Sequence, residues 1–187
     1  MKDKVRIKGK ITATVFDKDG NIKRRPQKWW QKLFNIPGDL MVSVNHNIVT
    51  NEGDDLIADI MQETPVKTKV DNTNGYITVG TGWTGVTPKT NEVVNTPSAG
   101  TPTRGMEATY PKTKGAFAAA DGNVTQYRAI YTAGLLTGNP VIDEAALGNH
   151  GTPATGDLLA YAEVSPSATV GATDTLQIDW EITFLGA

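Results

Sequence analysis

The motif of this chain that most closely resembles a known chemical site is rich in glycine. Residues 80–85 read Gly-Thr-Gly-Trp-Thr-Gly and follow a predicted strand, as in loops that bind dinucleotides. In such loops the glycines let the backbone approach a pyrophosphate, which the amino terminus of the next helix binds. Here Val86, Thr87 and Pro88 follow and do not start a helix, and no parallel βαβ unit is predicted. We therefore predict a tight glycine turn and no cofactor.

Side chains that could bind a metal are present, but their spacing is wrong for a metal site. Asp17, Asp19 and Asn21 resemble part of a calcium loop, yet the glycine comes too early and no glutamate closes the motif. We predict a hairpin turn at this point. The two histidines, His46 and His150, belong to no pair with ligand spacing and to no nucleophile motif. The sequence thus predicts no metal site.

Two adjacent carboxylates, Asp143 and Glu144, are the remaining candidates for catalysis. Neighbouring residues of a strand point to opposite faces, so these two cannot act together on one bond as the carboxylates of a glycosidase do. No complete catalytic group is recognisable elsewhere. We predict that the protein is not an enzyme. The rival hypothesis is a polysaccharide hydrolase that depends on a carboxylate such as Glu144.

Residues 23–38 combine aromatic and basic side chains in a pattern typical of binding surfaces. Tryptophan and arginine make large contacts that exclude water, which favours a protein interface over local core packing or nucleic-acid stacking. We do not expect nucleic acid to be the partner. The side chains that we expect at a protein interface are Arg24, Arg25, Lys28, Trp29, Trp30, Lys32 and Phe34.

The charges of the chain are divided unevenly along its length. Residues 1–32 hold 11 Lys or Arg and 3 Asp or Glu, whereas residues 33–187 hold 7 and 17. Such a division favours head-to-tail contact between copies, docking on an acidic surface, or nucleic-acid binding, with a solvated basic strand pair as the alternative.

Cysteine is absent, which excludes disulfides. Residues 1–10 lack a signal-peptide core and no stretch could span a membrane, so we expect folding in the cytoplasm.

The hydrophobic pattern that must position these residues is mainly that of β-strands. Apolar residues alternate with polar ones in 5–15 and again in 176–184, which predicts two strands with one buried face each. Further strands are predicted in 40–49, 76–79, 123–132, 141–147 and 158–164. Strands of this number, separated by turn residues, predict a mainly β fold, an antiparallel β-sandwich of about seven to nine strands.

One short α-helix is expected, at about 52–62, where Leu56, Ile57, Ile60 and Met61 recur at helical spacing. Asn51 is its predicted N-cap. We predict one β-sandwich domain over 1–187, with an inserted basic and aromatic segment at about 23–38 that is a loop or a short amphipathic helix. A long exposed loop is predicted at about 80–103, where Gly, Thr and Pro are frequent.

The order of these features resembles that of a family of small structural proteins of tailed bacteriophages. The resemblance covers most of the chain. It is carried by DKDGN at 17–21, NIVTNEG at 47–53, YITVGTG at 76–82, DEAAL at 143–147, LLAYA at 158–162 and DTLQIDWEITF at 174–184.

This resemblance implies assembly in place of catalysis. It implies a structural component of a phage virion, a capsid decoration or a neck or tail appendage, that binds other particle proteins and is present in several copies. The implied location is the virion, assembled in the host cytoplasm. The alternative is a receptor- or carbohydrate-binding module of a tail fibre, which would use Trp83 and tyrosines on exposed loops.

Overall fold

The computed structural model describes residues 6–86, 89–90, 93–115, 122–152 and 155–185. Within these ranges the chain forms nine strands and two short helices. In chain order they are β1 (Arg6–Phe16), α1 (Trp29–Leu33), β2 (Val42–Val49), α2 (Asn51–Ile60), β3 (Tyr76–Gly80), β4 (Thr103–Gly105), β5 (Lys112–Thr113), β6 (Val124–Tyr131), β7 (Val141–Gly148), β8 (Leu158–Thr169) and β9 (Thr175–Leu185).

The nine strands form one antiparallel sheet in the order β4-β3-β7-β8-β2-β1-β9-β6-β5. The prediction of a mainly β, antiparallel fold is confirmed. The sheet is continuous and curls into a half-barrel, so that its two halves face each other across the core. Neither helix of the described residues has the length and apolar character needed to cross a membrane.

Alternation in the sequence determines which face of the sheet is buried. Ile11 of β1 lies opposite Trp180 of β9, and both side chains are buried. A hydrogen bond joins the two halves of the curled sheet, because the Tyr131 hydroxyl of β6 donates to the Ile77 carbonyl of β3 over 2.6 Å. Burial raises the pKa of Tyr131 well above its usual value, which keeps this donor protonated.

The helix α2 lies close to its predicted position but begins at a different cap. Thr50, and not Asn51, is the N-cap, and its hydroxyl accepts a hydrogen bond from the Gly53 amide at 3.0 Å. The same hydroxyl donates to the carbonyl of Leu158 in β8. The prediction of Asn51 as the cap is therefore wrong. Thr50 is the cap because its hydroxyl can make two hydrogen bonds at once, accepting from an amide of the helix and donating to a carbonyl of the sheet.

The predicted loop at 80–103 is only partly an exposed loop. Val94 and Ser98 are buried, and Val94 packs with Leu158 and Tyr161 in a second, smaller hydrophobic cluster. The expectation of exposure is wrong at these positions because the sheet binds this part of the loop. Residues 87, 88, 91 and 92 of the predicted loop lie outside the described residues. The short strands β4 and β5 have no alternation long enough to predict them.

Candidate functional site

Residues 22–40 form an arm that extends from the end of β1 and returns to the start of β2. The two legs of the arm are held together by backbone hydrogen bonds, from the Arg25 amide to the Asp39 carbonyl and from the Met41 amide to the Lys23 carbonyl, both 2.7 Å. The short helix α1 lies at the far end of the arm. Residues that the sequence predicts as a binding segment are thus presented as one folded unit.

The buried side chain of Gln31 holds α1 in place within the arm. Its Oε1 atom accepts from the amide of Lys28 at 2.8 Å, and its Nε2 atom donates to Asp39 Oδ1 at 3.2 Å. Only 2% of Gln31 is exposed. The sequence pattern does not single out Gln31, because its partners depend on how the arm folds back.

The large apolar side chains of this helix point into solvent. Trp29 is 78% exposed, Leu33 70% and Phe34 68%, while Trp30 is about two fifths exposed. Trp29 and Leu33 are four residues apart, as are Trp30 and Phe34, so each pair shares a face of the helical turn. We call these four residues the apolar tip. Soluble proteins seldom leave such a group exposed unless it binds something.

Basic side chains surround the apolar tip and are themselves exposed. Lys28 Nζ lies 3.3 Å from Asp39 Oδ2 and 6.0 Å from the centre of the Trp30 ring. Lys32 is in the last turn of α1, and Arg24 donates to the Gly38 carbonyl at 2.9 Å. An exposed ion pair such as Lys28–Asp39 stabilises little, so these cations remain available to an acidic partner.

Arg25 has a different place from the other predicted interface residues. The pairing of β7 with β8 shifts register between Ile142 and Glu144, in the part of β8 that contains Pro166 and Ser167. The Arg25 guanidinium donates to the carbonyls of Ser167 at 2.6 Å and Pro166 at 3.1 Å. We infer that Arg25 fixes the base of the arm to the sheet and contributes little to the exposed surface.

A second anchor of the arm was also missed by the sequence analysis. Lys23 forms an ion pair with Asp174, a largely buried carboxylate that also accepts from the Gly171 amide at 2.6 Å. Lys23 and Arg25 therefore attach the same leg of the arm to the sheet: Arg25 binds β8 itself, and Lys23 binds the turn that follows β8. Such double attachment preorganises the tip before binding.

The glycine motif surrounds a buried carboxylate of the protein itself. Glu144 is 0% exposed, and its Oε1 atom accepts from the amides of Gly82 at 3.1 Å and Thr96 at 2.9 Å. Its Oε2 atom accepts from the Asn95 amide at 3.0 Å, from Asn95 Nδ2 at 3.2 Å and from the Tyr161 hydroxyl. Both carboxylate oxygens thus accept hydrogen bonds from the protein itself, and these bonds give Glu144 a structural role in holding the glycine loop.

Close approach to this carboxylate explains the glycines. A Cβ atom added at Gly80 would lie 2.4 Å from Glu144 Oε1, and one added at Gly82 would lie 2.5 Å from Thr96 Oγ1. Any larger residue would push the loop away from the sheet. The requirement for glycine therefore arises within the chain, from Glu144 at Gly80 and from Thr96 at Gly82, and it does not need a bound phosphate.

Asp143 binds the same loop, since its Oδ1 atom accepts from the Trp83 amide at 3.1 Å. Burial raises the pKa of Asp143, while this hydrogen bond lowers it. The ring of Trp83 lies 6.0 Å from that of Tyr161 and packs against the cluster around Val94. Trp83 is thus partly buried, which does not suit the sugar platform that the carbohydrate-binding alternative requires.

The histidines do not meet other ligand side chains in the described ranges. His150 Nδ1 accepts from the Thr152 amide at 3.0 Å within its own loop, and His46 lies exposed on β2. Among the residues that the structure describes, no three His, Asp or Glu side chains are placed to hold a metal ion.

When compared with protein-family models, with curated proteins and with solved structures, the chain matches none of them. The site is therefore interpreted from its own geometry.

Proposed function

We propose that this protein is a non-enzymatic structural component of a tailed-bacteriophage particle, which docks on another particle protein by inserting its apolar tip. The proposal that the tip docks rests on one observation: Trp29, Leu33 and Phe34 are exposed on an arm that is folded and anchored to the sheet. The order of sequence features described above supports the assignment to a phage particle. The proposed location is the virion, assembled in the host cytoplasm.

The chemistry of the tip defines the partner surface. Four large apolar side chains require an apolar pocket, and Arg24, Lys28 and Lys32 require an acidic rim around that pocket. Anchoring by Lys23 and Arg25 means that little conformational entropy is lost when the tip binds. A tip of this size makes a small contact, so several copies on one particle would act together through avidity.

The test is incorporation of a Trp29→Ala, Trp30→Ala double variant into particles assembled without the wild-type chain. Tryptophans that act as hot spots of an interface contribute at least about 2 kcal/mol each, so the loss of about 4 kcal/mol in all should lower the bound fraction at limiting concentration about 700-fold. The thermal midpoint of the isolated variant should stay near that of the wild type, because the tip contributes little to the core.

A matched control removes two exposed apolar side chains elsewhere, in a Val66→Ala, Val86→Ala variant. This control should be incorporated normally. Normal incorporation of the tryptophan variant would show that the tip is not the docking surface, and the proposal would be abandoned.

A further inference from the structure

A second exposed apolar feature lies at the opposite end of the molecule from the tip. It is a half-open cavity of about 310 Å³ between α2 and the mouth of the half-barrel. Apolar side chains of the helix (Leu56, Ile57, Ile60) and of the sheet (Leu159, Ile182, Phe184) line it. We call this cavity the α2 groove. Its volume falls at the lower end of the range of protein ligand pockets, which suits one or two large side chains.

The register of the sheet determines how far apart the tip and the groove are. At one end of β1, Ile7 pairs with Phe184, which lines the groove. At the other end, Phe16 pairs with Thr175, and the arm begins just beyond. Ile7 and Phe16 are nine positions apart along the extended strand, which corresponds to about 30 Å. One copy therefore cannot place its own tip in its own groove.

The charges around the two features are opposite. Residues 22–40, which carry the tip, contain five basic residues and one acidic residue. Residues 50–71, which contain α2 and the chain after it, contain six acidic and two basic residues. In α2 itself Glu52 and Asp54 lie in the first turn and no basic residue lies in the last. The charged residues that line the groove are one of each sign, Lys69 and Asp71, so the acidic excess lies in the segment around the apolar pocket. The groove thus offers an apolar pocket within an acidic segment, as the tip requires.

We infer that the partner of the apolar tip is a second copy of this chain, and that the tip of one copy enters the α2 groove of the next. This inference rests on the proposed docking role of the tip and names its partner. Since the two surfaces differ and lie at opposite ends, the contact is head-to-tail, and repetition gives a closed ring or a filament.

The first experiment measures association of the full chain by sedimentation velocity over a range of protein concentrations. The wild type should form species larger than a monomer, and raising the salt concentration should weaken their association because it screens the opposite charges. A Leu33→Ser, Phe34→Ser variant should stay monomeric. A control variant, Val44→Ser with Val86→Ser, removes two exposed apolar side chains outside the tip and should associate like the wild type.

The groove is tested by Ile60→Lys, which places a cation in the path of the basic tip. Met61→Lys is the matched control, since Met61 is exposed beside Ile60 but does not line the groove. Ile60→Lys should be monomeric, and Met61→Lys should associate. Far-ultraviolet circular dichroism of both variants checks that the fold is kept.

Mixing the two defective variants gives the deciding result. The tip variant keeps its groove and the Ile60→Lys variant keeps its tip, so the mixture should form dimers of one copy of each and nothing larger. A contact between two identical surfaces would give no such dimer and would overturn the inference. So would a wild type that stays monomeric at every concentration. If such a monomeric protein still needed Trp29 and Trp30 for incorporation, the proposed function would stand with a different partner.

Discussion

The buried carboxylate of Glu144 provides a sharp test of how the glycine loop is held. The change is Glu144→Gln, which keeps the shape of the side chain but replaces one acceptor oxygen by an NH2 donor. Five donors surround the carboxylate, three of them backbone amides that cannot rotate away. Whichever way the glutamine amide is oriented, its NH2 group faces at least one fixed amide hydrogen.

The magnitude follows from counting these donors. If the NH2 group replaces Oε2, it meets the amide and the side chain of Asn95, while the Tyr161 hydroxyl can rotate. Two hydrogen bonds to a charged group are then lost, each contributing about 1.5–3 kcal/mol. We expect the free energy of unfolding to fall by about 3–6 kcal/mol, which for a chain of this size lowers the thermal midpoint by roughly 6–24 °C.

The assay is urea unfolding monitored by tryptophan fluorescence, together with amide hydrogen exchange at Gly82, Asn95 and Thr96. Exchange at these three amides should become faster in Glu144→Gln than in the wild type. The control is Glu163→Gln, because Glu163 lies opposite Glu144 in β8 and is only partly buried. A Glu144→Gln variant within about 0.5 kcal/mol of the wild type would refute the reasoning, since changes of that size are typical of surface sites.

Two further predictions concern neighbouring parts of the fold. Burial raises the pKa of Asp143 above its usual value, so the folded state holds this proton more tightly than the unfolded state, and stability falls as pH rises through the raised pKa. Asp143→Asn keeps an acceptor for the Trp83 amide but cannot ionise, so its stability should not fall with rising pH for this reason. The variant should therefore be at least as stable as the wild type at pH 7. A clear destabilisation in a urea titration would contradict this expectation. Thr50→Ala should cost about 2 kcal/mol because the hydroxyl both caps α2 and donates to β8, whereas Asn51→Ala should change the thermal midpoint little; equal effects would show that the capping role is misassigned.

Much of the fold could be read from the local pattern of residues. Alternation in β1 and β9 predicts both the strands and their buried faces, because a strand places neighbouring side chains on opposite sides whatever its partners are. The helical spacing of Leu56 and Ile60 likewise predicts α2 to within about two residues. The exposed aromatic residues of α1 belong to the predicted basic and aromatic segment.

The two short strands could not be predicted in this way. β4 and β5 have three and two residues, too few to show a period, and they exist because longer strands offer them unpaired backbone groups. The same is true of Gln31, whose partners depend on how the arm folds back. Composition gives such residues no signal of their own.

The sequence by itself determined the longer strands, the main helix and the segment that carries the apolar tip, because each depends on residues that are close along the chain. Only the tertiary structure decided what the charged and glycine residues do. Arg25 meets Ser167 across 142 positions, and Glu144 meets Gly82 across 62. Such contacts depend on strand order and on the curl of the sheet, which local periodicity does not contain. Hydrogen bonding of a buried charge is therefore a property of the assembled fold.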